Sequence, residues 1–175
     1  MKKARFTLLM AGVAVLAIVG VVTLASADRG GGRGGNNFKA ELEGFQEVPA
    51  ISSTGSGEFR AEISRDESSF DFELSYEDLE GTSPVFAHIP LGQEAVNGGI
   101  SVFLCGGGGR PACTTTSGTF TGTATASDVI GPAGQGLAPG EFDELLRAMR
   151  EGVTYANVHT NKHPGGEIRG QIVIA

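Results

Sequence analysis

Apolar and polar residues alternate along most of the chain between residues 38 and 125, in short segments separated by Gly, Pro, Ser or Asp. A two-residue period puts the apolar side chains on one face, which is typical of half-buried strands in an antiparallel sheet. The pattern predicts six strands in this part of the chain, at residues 38–42, 59–63, 70–76, 85–89, 100–105 and 119–125.

One later segment changes to a helical period. Four apolar residues follow the i, i+3, i+4, i+7 spacing of an amphipathic helix: Phe142, Leu145, Leu146 and Met149. Pro139 precedes this segment and Gly152 follows it, as is common at the start and just past the end of a helix. We expect the apolar stripe to pack over an open end or edge of the β-structure.

The C-terminal part of the chain alternates again, over residues 153–160 and 168–174. Pro164, Gly165 and Gly166 lie between these two runs and supply the backbone angles that a turn needs. The hairpin brings the total to about eight strands. The sequence therefore predicts a mainly β fold, an antiparallel β-sandwich or barrel with one amphipathic helix near the C-terminus.

Three stretches of the chain resemble the motifs of the chordin-type (CHRD) domain family. The last stretch reads NVHT at residues 157–160, then a Pro-Gly turn, then GEIRGQ at residues 166–171. Residues 38–49, FKAELEGFQEVP, resemble the opening strand of the family and its Glu-Val-Pro ending. Residues 86–92, FAHIPLG, resemble its Ala-His-Ile-His-x-Gly element, with Pro90 in place of the second histidine.

This resemblance covers roughly residues 38–173 and implies a β-rich domain that acts outside the cytoplasm. In animal chordin such domains belong to an extracellular antagonist of growth factors, and microbial members are mostly exported proteins without an assigned activity. The implied role is binding or structural interaction with an extracellular protein or a surface ligand.

The N-terminus has the composition of a targeting segment. Lys2, Lys3 and Arg5 precede an uncharged run that ends before Ala25-Ser26-Ala27, the arrangement of a secretory signal peptide with its cleavage site. The apolar run is also close to the length that spans a bilayer, so an uncleaved membrane anchor is the alternative. We expect residues 1–27 to be the signal peptide or anchor, residues 28–37 a Gly-rich linker, and residues 38–175 the CHRD-like domain. Membrane contact is expected only through the N-terminal segment.

The charge balance argues against one class of partner. The chain has 13 Lys and Arg against 20 Asp and Glu and a net charge of −7. Nucleic-acid binding requires a basic surface that displaces counterions. We therefore expect no nucleic-acid partner, and we interpret the acidic residues as a solubilising surface.

Cys105 and Cys113 are the two cysteines of the chain, separated by a Gly-rich loop. In an exported protein such a pair is expected to form a disulfide. A redox or metal role is the alternative, although neither the Cys-x-x-Cys spacing nor a second pair is present.

His88 and His159 lie in two of the family motifs and are the candidate metal ligands, for copper or zinc. If their strands are neighbours, the two imidazoles can converge, and Glu167 or Asn157 could add an oxygen ligand. The alternative is a structural pair that hydrogen-bonds and binds nothing. His163, in the turn, is expected to be solvent-exposed.

Catalytic motifs are not evident. The Ser and Thr residues lack a nucleophile-elbow context, and Glu167 and Arg169 are expected to pair with charged neighbours across strands. The sequence therefore favours an exported, non-enzymatic β module with no cofactor, and its alternative is a metalloprotein built on His88 and His159.

Overall fold

A computed structural model describes residues 35–113 and 115–175 of the chain. The predicted signal peptide or anchor and most of the predicted linker lie outside the described residues. Within the described part, no helix combines the length and the apolar character needed to cross a bilayer.

The described chain forms nine strands and one α-helix. The strands are β1 (Asn37–Glu43), β2 (Ser56–Ile63), β3 (Ser69–Glu77), β4 (Pro84–Leu91), β5 (Gly99–Cys105), β6 (Gly118–Thr125), β7 (Tyr155–Thr160), β8 (Ile168–Gln171) and β9 (Val173–Ile174). The helix α1 spans Phe142–Arg150, and short 3₁₀ turns occupy Gly44–Gln46, Ala126–Asp128 and Ala133–Gln135. The predicted β fold with a single C-terminal helix is confirmed.

The strands form one antiparallel sheet in the order β5-β4-β7-β8-β1-β2-β3-β6, with β9 beside β1. The two end strands, β5 and β6, approach each other, so the sheet curls into a nearly closed barrel. The predicted C-terminal strand is divided in two. β8 pairs with β7, and the backbone N–H of Ile172 continues that pairing by donating to the carbonyl of Thr154. β9, in contrast, pairs with Lys39 and Phe38 of β1.

The core consists of the apolar faces that the alternation predicts. Phe59, Phe70 and Leu74 are fully buried inside the barrel. The helix adds its apolar stripe to the same core, where the Phe142 ring stacks on Phe70 at 5.9 Å between centroids. Each such large side chain contributes about 1.5–3 kcal/mol when it is removed from water.

The gap between β5 and β6 is bridged by the loop that the disulfide closes. Cys105 and Cys113 are bonded, as predicted. Their loop carries Arg110, whose guanidinium lies 3.0 Å from the Asp128 carboxylate and 5.5 Å from the Phe72 ring centre. On the chain-entropy account a loop this short contributes about 2–3 kcal/mol. The disulfide therefore restricts the loop that places Arg110 beside β3 and the turn after β6.

Candidate functional site

The side chains of the family motifs meet on the outer face of β4, β7 and β8. His88, Asn157 and Arg169 are register partners across these three strands, and Phe86 is the partner of His159 one row away. Register partners in an antiparallel sheet point to the same side. Residues that are distant in sequence thus form two adjacent rows on one surface.

His88 and His159 converge, as the sequence analysis required of a candidate metal pair. Their Nε2 atoms are 2.7 Å apart. His159 Nδ1 lies 2.9 Å from the carbonyl oxygen of Pro164. Because a carbonyl can only accept, Nδ1 of His159 carries its proton, and His88 must donate from Nε2 to Nε2 of His159. The pair is therefore hydrogen-bonded with defined tautomers.

Both imidazoles are held in the neutral state. Burial and, secondarily, the neighbouring His159 lower the pKa of His88 to about 3. Burial also lowers the pKa of His159, although its bond to the Pro164 carbonyl opposes this. Phe86 stacks on the His159 ring at 4.3 Å between centroids and so contributes to the apolar surroundings. Neutral imidazole is the form that metal binding needs.

The spacing of the pair is that of a hydrogen bond. Zinc–nitrogen distances of about 2.0–2.1 Å with tetrahedral angles would place the two nitrogens about 3.3 Å apart. Within the residues that the structure describes, no group of three or more His, Cys, Asp or Glu side chains is arranged to hold a metal ion. Metal binding at this pair would require the rings to separate and other ligands to complete the shell.

The two residues considered as oxygen ligands have other partners. The Asn157 amide donates from Nδ2 to Glu47 Oε1 at 2.9 Å. Glu167 is fully buried, and its carboxylate accepts hydrogen bonds from groups that are all uncharged: the Ser53 hydroxyl, the Thr160 hydroxyl and the backbone N–H groups of Glu80 and Gly81. His163, expected at the surface, is half-buried, with Nε2 3.7 Å from the Glu80 carboxylate.

Glu167 is an anion stabilised by hydrogen bonds. Burial alone would raise its pKa, but the bonds from Thr160, Glu80, Ser53 and Gly81 outweigh burial and lower it. The expected cross-strand ion pair of Glu167 is therefore wrong. The carboxylate instead links the end of β7 and the loop between β3 and β4 to the segment before β2.

The structure also brings together Glu47 and Arg169, which the sequence analysis did not select as a site. Glu47 is 5% exposed and Arg169 3% exposed, and both line a cleft of about 200 Å³ between residues 45–48 and the loop around Ala95. Gly166 makes room for Glu47, since a Cβ there would lie 2.5 Å from Glu47 Oε1 and its φ is +125°. The available sequence signal was that both charged residues lie within family motifs.

Glu47 and Arg169 do not form an ion pair. Within the described chain no carboxylate oxygen lies within 4.0 Å of the Arg169 guanidinium, although Glu43 is its register partner. Burial raises the pKa of Glu47 to about 7, against the opposing effects of the Arg169 charge, the Asn157 amide and the Val48 N–H. A carboxyl that lies in a cleft and has a strongly raised pKa is a candidate binding group.

The barrel and its motif-bearing face define the class of protein as an all-β module with a polar, partly buried outer surface. The sequence profile of the CHRD domain matches residues 38–172, and the chain belongs to the CHRD domain family. A comparison with curated proteins finds no significant match to the chain.

Proposed function

We propose that this CHRD domain is an exported, non-enzymatic module that binds a ligand outside the cytoplasm. Three features support this role: the signal-like sequence of residues 1–27, the acidic composition, and the Cys105–Cys113 disulfide. Disulfides persist mainly in oxidising compartments. The partner is an extracellular protein or a surface ligand.

The observation that carries the binding role is the cleft with a buried guanidinium, Arg169, and a buried carboxyl, Glu47. Burial of a charge without a close partner costs stability, and folds usually neutralise such groups. Glu47 and Arg169 remain apart in the same small cleft, which is also lined by Phe45, a residue that is 71% exposed. A concave site with convergent polar groups and an apolar rim is suited to ligand binding.

A thermal-shift screen of the exported protein against small polar compounds and cell-surface fragments tests this role. We expect at least one compound to raise the Tm of the wild type and to be recovered chemically unchanged. That shift should be lost in Arg169→Lys, which keeps the charge but not the planar fork, and retained in Arg60→Gln, an exposed control on β2. The intact mass of the exported protein should correspond to a chain that begins at Asp28.

Two results would contradict the proposal. Turnover of a screened compound would identify an enzyme. Stabilising compounds that act equally on Arg169→Lys, or a complete lack of hits, would remove the cleft as the binding site.

A second candidate function is copper or zinc binding by His88 and His159. The convergence of their Nε2 atoms favours it, together with the lowered pKa values that keep both rings neutral. In this function the metal would replace the hydrogen bond between the rings.

Copper and zinc titrations measure this directly. The expected result is one equivalent of metal for the wild type, loss of uptake in both His88→Ala and His159→Ala, and normal uptake in His163→Ala, the control histidine. Uptake that is unchanged in His88→Ala and His159→Ala, or an absence of uptake at micromolar metal, would leave the pair as a structural hydrogen bond.

A further inference from the structure

The two ionisable groups of the cleft beside Phe45, the Glu47 carboxyl and the Arg169 guanidinium, come from different elements of the fold. Glu47 follows the 3₁₀ turn Gly44–Gln46 at the end of β1, and Arg169 lies in the middle of β8. The position of Glu47 is fixed by its bond from Asn157. The Arg169 guanidinium lies 4.6 Å over the Tyr155 ring, a cation–π contact that orients its plane. The carboxyl and the guanidinium are therefore both held in place before any ligand enters.

Arg169 retains hydrogen-bonding capacity. Its Nη1 donates to Asn97 Oδ1 at 3.0 Å and to the Val96 carbonyl at 3.4 Å. Both of these hydrogen bonds, the ones that the described chain provides, are made by the same nitrogen. A guanidinium has five N–H donors, in a fork that matches a carboxylate. The remaining donors suit an anionic group.

Glu47, in contrast to Arg169, suits a cationic group. Its carboxylate receives the uncharged Asn157 amide, and within the described chain no cation lies within 4.0 Å of it. Glu94, which is exposed, lines the same cleft and adds a second carboxylate. An ammonium group beside Glu47 would find an acceptor that is short of positive charge.

We infer that this cleft binds a zwitterion of the size of a small amino acid, with its carboxylate on Arg169 and its ammonium on Glu47. A volume of about 200 Å³ is below the range of about 300–1,000 Å³ that holds drug-sized ligands. Phe45, Val48 and Ala95 form the apolar part of the lining, which favours a small apolar side chain. This inference rests on the proposed binding role and names the ligand class for that site.

Isothermal titration of the exported full-length protein at pH 7 tests the inference with three related compounds. L-Alanine carries both charges, N-acetyl-L-alanine lacks the cation, and L-alanine amide lacks the carboxylate. We expect alanine to bind with one-to-one stoichiometry and each of the other two to bind about tenfold or more weakly, since each loses a charge-assisted hydrogen bond. These comparisons use the unaltered protein and need no variant to fold.

The variants identify the groups in the cleft. Arg169→Lys and Glu47→Gln should each weaken alanine binding about tenfold or more, while Arg60→Gln and Glu62→Gln, exposed controls on β2, should leave it unchanged. Circular dichroism establishes that each variant is folded.

Each other outcome overturns the inference in a distinguishable way. Equal binding of N-acetylalanine would define an anion site, and equal binding of alanine amide a cation site. If none of the three compounds binds while the screen gives Arg169-dependent hits, the ligand class is wrong and the binding role stands. If neither assay shows Arg169-dependent binding, both proposals fall.

Discussion

Gly170→Ala is expected to destabilise the domain by about 3 kcal/mol or more, the upper part of the range for forcing extra atoms into a packed site. A Cβ at Gly170 would lie 2.1 Å from the backbone oxygen of Glu41 and 2.7 Å from its carbonyl carbon. Backbone atoms of β1 cannot move aside as a flexible side chain can, so β8 must separate from β1. Thermal unfolding should show a Tm lower by roughly 10 °C.

Gly165→Ala is the matched control, because it lies in the turn before β8 and a Cβ there meets nothing within 4 Å. Its effect should stay within about 0.5 kcal/mol, as for most surface changes. Equal Tm values for the two variants would mean that β1 and β8 are not in close contact at Gly170.

Glu167→Gln is expected to cost about 3 kcal/mol at neutral pH, since hydrogen bonds to a buried charged group are worth about 1.5–3 kcal/mol. Each carboxylate oxygen of Glu167 faces one hydroxyl and one backbone N–H. A hydroxyl can rotate to accept from the new amide, but an N–H group cannot. Whichever way the glutamine amide turns, one backbone donor loses its acceptor. Chemical denaturation at pH 7 measures the difference.

The pH dependence provides an internal check on this variant. The pKa of Glu167 is lowered below 4.5 in the folded protein, so its contribution is fully present above 4.5 and is lost as the pH falls through the folded value. The stability gap between wild type and Glu167→Gln should therefore be largest near neutral pH and shrink in acid. Glu62→Gln, on an exposed position of β2, should show no such gap. A gap that is constant with pH would mean that the carboxylate is not ionised in the fold.

The structure gives several family-motif residues a physical task. The Asn157 amide donates a hydrogen bond to Glu47. Glu167 accepts four hydrogen bonds. Gly170 permits the close contact between β8 and β1. These tasks concern assembly of the barrel and of its outer face. They explain why the motifs identify the fold more directly than they identify a ligand.

Alternation predicted the strands because a two-residue period is a local property, visible in segments such as Phe70 to Tyr76. It did not predict the break between β8 and β9, since that break depends on which neighbouring strand each segment pairs with, β7 for β8 and β1 for β9. The convergence of His88 and His159 was predicted on the condition that their strands are neighbours, and the pairing of β4 with β7 meets that condition. A metal at the pair stays a prediction.

The sequence by itself determined the β class, the C-terminal helix, the cysteine pair and the family, because each depends on residue spacing or on motifs within short stretches. The tertiary structure decided which polar residues are buried and which residues they contact. Glu47 and Arg169 are 122 positions apart in sequence and share a cleft because β1 and β8 are adjacent in the barrel. Burial and the distance between charges set their energetics, and both exist only once the sheet has closed.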